Sequence, residues 1–328
     1  MTPINSGAGS RVVIGLDLGG TKMIGILMDE QARVRLRRRR PTPIGSNGAV
    51  RDGVLSLVSE LLQAGRDAGD SPAGIAIGAP GFIHPETGAI LDAHNLGVRD
   101  LPLREIVAQT YGLPTRVLHD VEAAALGEAR FGAGTQAQHL AFLNVGTGVA
   151  VGLILRGQVY SGAAGRAGEI GHVCMQHNGP LCACGRRGCL EALASGPAIV
   201  RQAQAAIARN QDTAILRLTD GDASQITAET VAEAARQSDD FALSLIAEAA
   251  DYLGLAVAGL INVLDLECVI VGGGLSQMGD LFLDPIRTAV AGYVLAEYRD
   301  TVPLLLPALG ADAGAVGAAA ALIENWAE

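Results

Sequence analysis

Aromatic residues are scarce in this chain: Phe, Tyr and Trp make up only 3% of its 328 residues. A core without rings must be filled by aliphatic side chains with Ala and Gly, which suits helices packed closely on sheets. Positive charge is also short. Lys and Arg number 24 against 34 Asp and Glu, a net charge of −10, which disfavours nucleic acid and anionic membrane as default partners. No run of about 18 uninterrupted apolar residues occurs. The nearest, Leu140 to Leu155, is broken by Asn144, Gly146, Thr147, Gly148 and Gly152. Residues Met1 to Ser10 lack the charged-then-apolar order of a secretion signal, so a cytoplasmic location is expected. Disorder is excluded as the main state, because 49% of the residues are hydrophobic. Glycine, by contrast, is abundant at 43 residues. It follows no Gly-X-Y period, so the excess is expected in turns and ligand loops.

The length suits one large domain or two ordinary ones. Along the chain, short aliphatic strands alternate with helical stripes, the pattern of an α/β protein. Strands are expected at Val12–Leu16, Met23–Met28, Arg33–Arg40, Gly74–Ala79 and Thr115–Leu118. Helices are expected at Ala49–Ala68, Pro102–Tyr111 and Val121–Phe131. A second cycle follows: a hairpin of His139–Asn144 with Val149–Leu155, helices at Pro197–Arg209, Ala228–Gln237 and Asp239–Leu264, a strand at Glu267–Val271 and a closing helix at Ala313–Glu328. The first half has strand, Asp17-Leu18-Gly19-Gly20-Thr21-Lys22, strand. The second repeats this as strand, Asn144-Val145-Gly146-Thr147-Gly148, strand. Two such hairpins suggest two similar domains facing one ligand.

Glycine hairpins suit phosphate, since missing β-carbons let backbone N–H groups approach the oxygens closely. Thr21 and Thr147 add hydroxyl donors, and Asp17 at a strand end suits a magnesium ion held through water. Neither hairpin has the Walker pattern, and no GxGxxG stands between strand and helix, which disfavours P-loop enzymes and dinucleotide dehydrogenases. Gly272-Gly273-Gly274 after a buried strand would let a nucleoside pack against backbone. Asp120 ends a strand and opens a helix. A carboxylate there can take a hydroxyl proton in phosphoryl transfer, or simply cap the helix. Only five cysteines are present, yet Cys182, Cys184 and Cys189 lie within eight residues. With His172 they supply the four ligands of a closed, structural zinc site; Cys174 is a spare candidate and Cys268 reads as a buried thiol. Such a zinc would fix a long loop carrying Glu169 and Glu191, two carboxylates able to accept sugar hydroxyls. The basic run Arg33 to Arg40, lacking interleaved aromatics, reads as a strand with a charged edge rather than a nucleic-acid patch.

Together these elements resemble the ROK family (repressors, open reading frames, sugar kinases) over nearly the whole chain. The resemblance rests on Asp17-Leu18-Gly19-Gly20-Thr21-Lys22, Gly78-Ala79-Pro80-Gly81, Asn95-Leu96 followed by Leu101-Pro102-Leu103, Asp120 with Ala123-Ala124-Ala125-Leu126-Gly127-Glu128, and Gly146-Thr147-Gly148. Its most specific part is Glu169-Ile170-Gly171-His172 with Cys182-Ala183-Cys184-Gly185-Arg186-Arg187-Gly188-Cys189-Leu190-Glu191. It implies an actin-like (ribonuclease H-like) ATPase fold, two α/β domains around a cleft. The first domain is expected at 1–121 plus 312–328, and the second at 122–311 with the zinc-bound loop 165–191. It further implies an ATP-dependent sugar kinase acting on the 6-hydroxyl of glucose, with Asp120 as base. Gly81, Asn95, His119, Asp120, Glu169, His172 and Glu191 would contact the hexose. ATP and magnesium would engage Asp17, Gly19, Gly20, Thr21, Lys22, Gly146, Thr147, Gly148 and Gly273, and zinc would be held by His172, Cys182, Cys184 and Cys189. A homo-oligomer, dimer or tetramer, is expected, with no nucleic acid or membrane partner. His119 departs from the family, which usually has Asn there. An N-acetylmannosamine or N-acetylglucosamine kinase is the near alternative. A sugar-responsive regulator would need an added helix-turn-helix domain, and only about ten residues precede the first strand.

Overall fold

The computed structural model describes residues 11–323. The end of the expected closing helix and the leader-free reading of residues 1–10 lie outside the described residues. The chain forms two compact units. The first runs to Gln136, takes back Gln158–Ala167, and resumes at Ala308; the second is Ala137–Gly157 with Gly168–Pro307. The family resemblance implies a change of domain at 121–122 and 311–312.

In the first unit, β1 (Arg11–Leu18), β2 (Lys22–Asp29) and β3 (Val34–Pro41) form an antiparallel meander. Strands β4 (Ser71–Ala79) and β8 (Thr115–His119) add in parallel on the other side of β1, giving the order β3-β2-β1-β4-β8. Parallel strands covered on both faces read as continuous aliphatic runs, and Val12, Ile14, Leu16, Ile75 and Ile77 are fully buried. Helix α1 (Asn47–Asp67) starts where Ser46 accepts the Ala49 amide at 3.2 Å. It lays Val50, Val54, Leu57, Val58 and Leu61 into this core. A small antiparallel sheet, β5 (Phe82–Ile83), β6 (Ile90–Ala93) and β7 (Val98–Leu101), precedes α2 (Leu103–Tyr111). Helix α3 (Asp120–Phe131) follows β8 directly, and the returning segment holds the short β11 (Gln158–Val159).

The closing helix of this unit, Ala313–Ile323 (α10 in chain order), is buried from Ala313 to Leu322. Any β-carbon at Gly317 would collide with the Ala123 carbonyl, and one at Gly15 with the Ala315 carbonyl. These glycines let α10 lie backbone-close to α3 and β1, and that packing keeps α3 in the first unit. The Arg run lies on the edge strand β3 and is spent on acidic neighbours: Arg35 on Asp70 (3.0 Å), Arg37 on Asp312 (2.8 Å) and Arg38 on Glu60 (2.7 Å).

The second unit repeats the theme. Strands β9 (Leu140–Val145) and β10 (Val149–Leu155) form a hairpin, and β12 (Cys268–Gly272) and β13 (Leu304–Leu305) join in parallel beyond β9. Around this sheet are α4 (Leu190–Ala194), α5 (Gly196–Ile207), α6 (Ala214–Arg217), α7 (Ala228–Arg236), α8 (Asp240–Leu264) and α9 (Asp280–Tyr293). Helix α8 is long and apolar enough to cross a membrane by length and composition, but more than half of that stretch is buried inside the protein. Its Leu245, Ile246, Leu253, Val257 and Ile261 belong to the core of this unit.

Candidate active site

Register decides which side chains of the first unit meet. Asp17 on β1 stands opposite Gly78 on β4, and Ala79 stands opposite His119 on β8. Asp17, the Gly78–Gly81 turn and Asp120 therefore gather at the carboxyl ends of three parallel strands, where open α/β sheets bind ligands. The turn from Asp17 to Lys22 is closed by the Gly19 amide donating to the Lys22 carbonyl at 3.0 Å. The Thr42 hydroxyl donates to the Gly19 carbonyl at 2.6 Å. The Asn95 amide nitrogen lies 3.1 Å from where a Gly20 side chain would begin. This places the hexose candidate Asn95 directly over the glycine turn. Gly81 has φ +86, with the Asp92 carbonyl filling the space of any side chain.

Asp120 opens α3. Its Oδ1 accepts the Val121 amide at 2.8 Å and lies 3.5 Å from His119 Nδ1. The N-cap position is His119, without a side-chain cap bond, so Asp120 is the first residue of α3 and not its cap; the Val121 amide uses one oxygen and leaves Oδ2 available. Burial first, and then the charge of Asp120, push the Asp17 carboxyl up to about 7, against the pull of Lys22; Asp312 adds to the push. No hydrogen bond reaches the Asp17 carboxylate among the described residues. A carboxylate without donors, crowded by two others, suits a cation, so the residues present fit magnesium.

In the second unit the Gly146 amide donates to the Gly148 carbonyl at 2.9 Å, and the Gly146 carbonyl accepts the Gly196 amide at 2.9 Å. The Gly274 amide lies 3.5 Å from the Cβ position of Gly146. Gly273, at φ +87, would meet the Val145 backbone with any side chain. The hairpin Gly146-Thr147-Gly148 and the turn at Gly273 thus form one continuous glycine surface at the ends of β9 and β12. Glu191 closes its far side, accepting the Val149 amide at 3.1 Å. The loop before His172 lies against β10, with the Val151 amide donating to the Gly168 carbonyl at 2.9 Å. Glu169 Oε2 is 3.8 Å from His172 Nε2.

The other ring nitrogen of His172 faces sulfur. Nδ1 is 3.8 Å from Cys182 Sγ, and Cys184 Sγ is 3.6 Å from Cys189 Sγ. All four ligand atoms lie within 4.8 Å of one another. A tetrahedral zinc with Zn–S near 2.3 Å and Zn–N near 2.05 Å requires S···S of about 3.8 Å and S···N of about 3.6 Å. The residues fit the ion. The Arg186 backbone amide holds the Cys184 thiol down to about 6, while burial pushes Cys189 up to about 12. The loop closes through the Cys182 amide on the Arg186 carbonyl (2.8 Å) and the Gly185 amide on the Cys182 carbonyl (2.9 Å). Cys174 is exposed outside this cluster, and Cys268 is buried in β12 as a thiol pushed up to about 11 by burial.

The sequence model of the ROK family matches residues 13–325. The chain belongs to the ROK family. It is 36% identical over 309 residues to a glucokinase of Halalkalibacterium halodurans, covering 94% of this chain and 93% of that one. It is 34% identical over 314 residues to a glucokinase of Thermotoga maritima, covering 95% and 98%. Among solved structures it superposes on a ROK family glucokinase from Streptomyces griseus, in complex with glucose and AMPPNP, with a TM-score of 0.82. That pair shares 36% identity and covers 94% of this chain and 98% of the other. The two units accordingly have the actin-like ATPase fold of ROK glucokinases.

The expected residues fall into two sets, one per unit: Asp17 to Lys22, Gly81, Asn95, His119 and Asp120 in the first, and Gly146 to Gly148, Gly273, Glu169, His172, Glu191 and the cysteines in the second. Sequence reasoning missed Thr42, which pins the first glycine turn, and Asp312, whose charge reaches Asp17. A lone Thr after a strand carries no signal. Asp312, directly before an Ala- and Gly-rich helix, could have been noticed.

Proposed function

We propose that this chain is an ATP-dependent hexose kinase that transfers the γ-phosphoryl group to the 6-hydroxyl of glucose. The observation that carries this is Asp120. Its carboxylate stands at the end of β8 with one oxygen held by the Val121 amide and the other available to take a proton. The likeness to a glucokinase solved with glucose and AMPPNP supports the substrates. In the reaction the hydroxyl O–H bond breaks and its proton passes to Asp120 Oδ2. The hydroxyl oxygen bonds the γ-phosphorus as the bond to the β-phosphate oxygen breaks, and ADP leaves. Glu169 and Glu191 accept the other sugar hydroxyls. The glycine turns at Gly19–Gly20 and Gly146–Gly148 present backbone N–H groups to phosphate oxygens, and Gly273 leaves room for the nucleoside. Magnesium, when bound near Asp17, supplies charge neutralisation for the phosphates. Zinc, when bound by His172, Cys182, Cys184 and Cys189, ties down the loop that bears both glutamates.

A coupled ADP-release assay across glucose, mannose, fructose, N-acetylglucosamine and N-acetylmannosamine tests the reading. Glucose is expected to give the highest kcat/KM. Preference for an N-acetylhexosamine would overturn glucose, and ADP release independent of any sugar would overturn the kinase. The same reading takes the protein as a cytoplasmic homo-oligomer, dimer or tetramer. Val263 on α8 and Leu295 after α9, 80% and 59% exposed, support self-association. Light scattering on the eluting peak measures it.

A further inference from the structure

A cavity of 460 Å³ lies within the first unit along β8, lined by every residue from Pro114 to His119. Strand β8 is the outermost of its sheet, so its second edge has no ladder partner there and offers backbone groups to the space. Arg104 of α2 and Glu122 of α3 also line it. Gly88, at φ +64, sits against the Arg104 stem, with only 2.8 Å between its Cβ position and Arg104 Cβ. Gly165 approaches the Ile83 carbonyl in the same way, at 3.3 Å, and closes another wall. The charge inventory is two arginines, one glutamate and His119. Arg116 is committed in part, donating to the Ala321 carbonyl at 2.8 Å. Arg104 and Glu122 are half-buried, and neither has a hydrogen bond or ion pair with another described residue.

Half-buried opposite charges that face one space without pairing leave their hydrogen-bonding capacity open to a ligand that engages both. Such a ligand must present an anion to Arg104 and hydroxyl donors to Glu122, with an acceptor or donor for the His119 ring. No Phe, Tyr or Trp lines the space, so nothing favours a stacked base. The volume falls in the range of small-ligand sites. We infer that this cavity is an effector site for a phosphorylated polyol of sugar-phosphate type, outside the hexose and nucleotide set but for one shared residue. Of those residues, His119 alone lines it. His119 Nδ1 is 3.5 Å from Asp120 Oδ1, so an occupant that engages the imidazole acts on the position of the base. Where the chain is the hexose kinase proposed above, the product of its own reaction has this chemistry, and the site provides feedback.

The test uses the full chain with glucose 6-phosphate, inorganic phosphate and glucose as calorimetric probes. Glucose 6-phosphate is expected to bind in the presence of saturating glucose, and Arg104→Ala to weaken it on the order of tenfold or more. Glu122→Gln should weaken glucose 6-phosphate and leave inorganic phosphate unchanged. In turnover, glucose 6-phosphate should lower kcat without raising either KM, and Arg104→Ala should relieve this while keeping both uninhibited KM values. Binding that saturating glucose abolishes, or that Arg104→Ala leaves intact, overturns the inference, as does the absence of binding by any probe. Equal binding of inorganic phosphate and glucose 6-phosphate overturns the polyol specificity. The Arg104→Ala binding arm needs no catalysis, so failure of the kinase reading is distinguishable from failure of this one.

Discussion

Replacing Asp17 by Asn should stabilise the ligand-free protein while impairing its reaction. Burial and the neighbouring Asp120 raise the Asp17 carboxyl from 3.8 to about 7, so the fold holds the proton to higher pH than the unfolded chain does. Ionisation therefore costs nothing below about pH 4, costs progressively more up to about pH 7, and reaches its full value above that. Three units correspond to a ceiling of about 4 kcal/mol. Residual contact with water screens the charge and lowers the expected gain to about 1–3 kcal/mol. For a unit of this size that is a rise in melting temperature of roughly 3–10 °C. Thermal melts at pH 8 and pH 5 decide the matter: the gain of Asp17→Asn should be largest at pH 8 and about a third as large at pH 5. A variant no more stable than the parent at pH 8, or one with equal gains at both pH values, would refute the reasoning. The same substitution should weaken ATP binding measured with magnesium, since it removes the carboxylate charge placed for the cation.

Asp120→Asn should keep hexose affinity and lower kcat by roughly 10²–10⁴-fold, the usual cost of a lost general base; near-normal turnover would show that Asp120 is not the base. Cys184→Ser should lower the zinc content measured by elemental analysis from one per chain and raise the sugar KM more than the ATP KM, because Glu169 and Glu191 flank the ligands. Glu128 is fully buried and accepts the Ala133, Ala308 and Leu309 amides at 2.8, 3.0 and 2.8 Å. Glu128→Ala strands these donors and should cost about 3–5 kcal/mol in urea unfolding; a loss below about 1 kcal/mol would show that water replaces the carboxylate.

Much of this architecture was legible because the strands are continuous aliphatic runs. Val12–Leu16 and Met23–Met28 were expected within two residues of β1 and β2. The stripe of Val50, Val54, Leu57 and Leu61 marked α1. The sheet of β5, β6 and β7 was not legible: its strands have two to four residues and too little alternation to show a period. Helix α9 was hidden by Pro285 within it. At the site, the zinc ligands could be read because four soft donors at close spacing have few other uses, and the structure brings them together. The glutamate of the cavity, Glu122, and its arginine, Arg104, left no trace, since isolated charges on helices are ordinary surface features. Only the placement of α2 and α3 beside β8 gives them a common space.

The position of α10 bears on how the polypeptide acquires its shape during synthesis. Its Ala and Gly surface completes the layer against β1 and α3, yet it follows the entire second unit in the chain. A nascent chain therefore carries β1, β4 and α3 out of the ribosome with one face bare. The second unit, whose last residue is Pro307, can close before that face is covered. Contacts of such long sequence separation form slowly. During that interval the uncovered Val13, Ala76 and Ala123 surface is where a chaperone would engage the emerging chain.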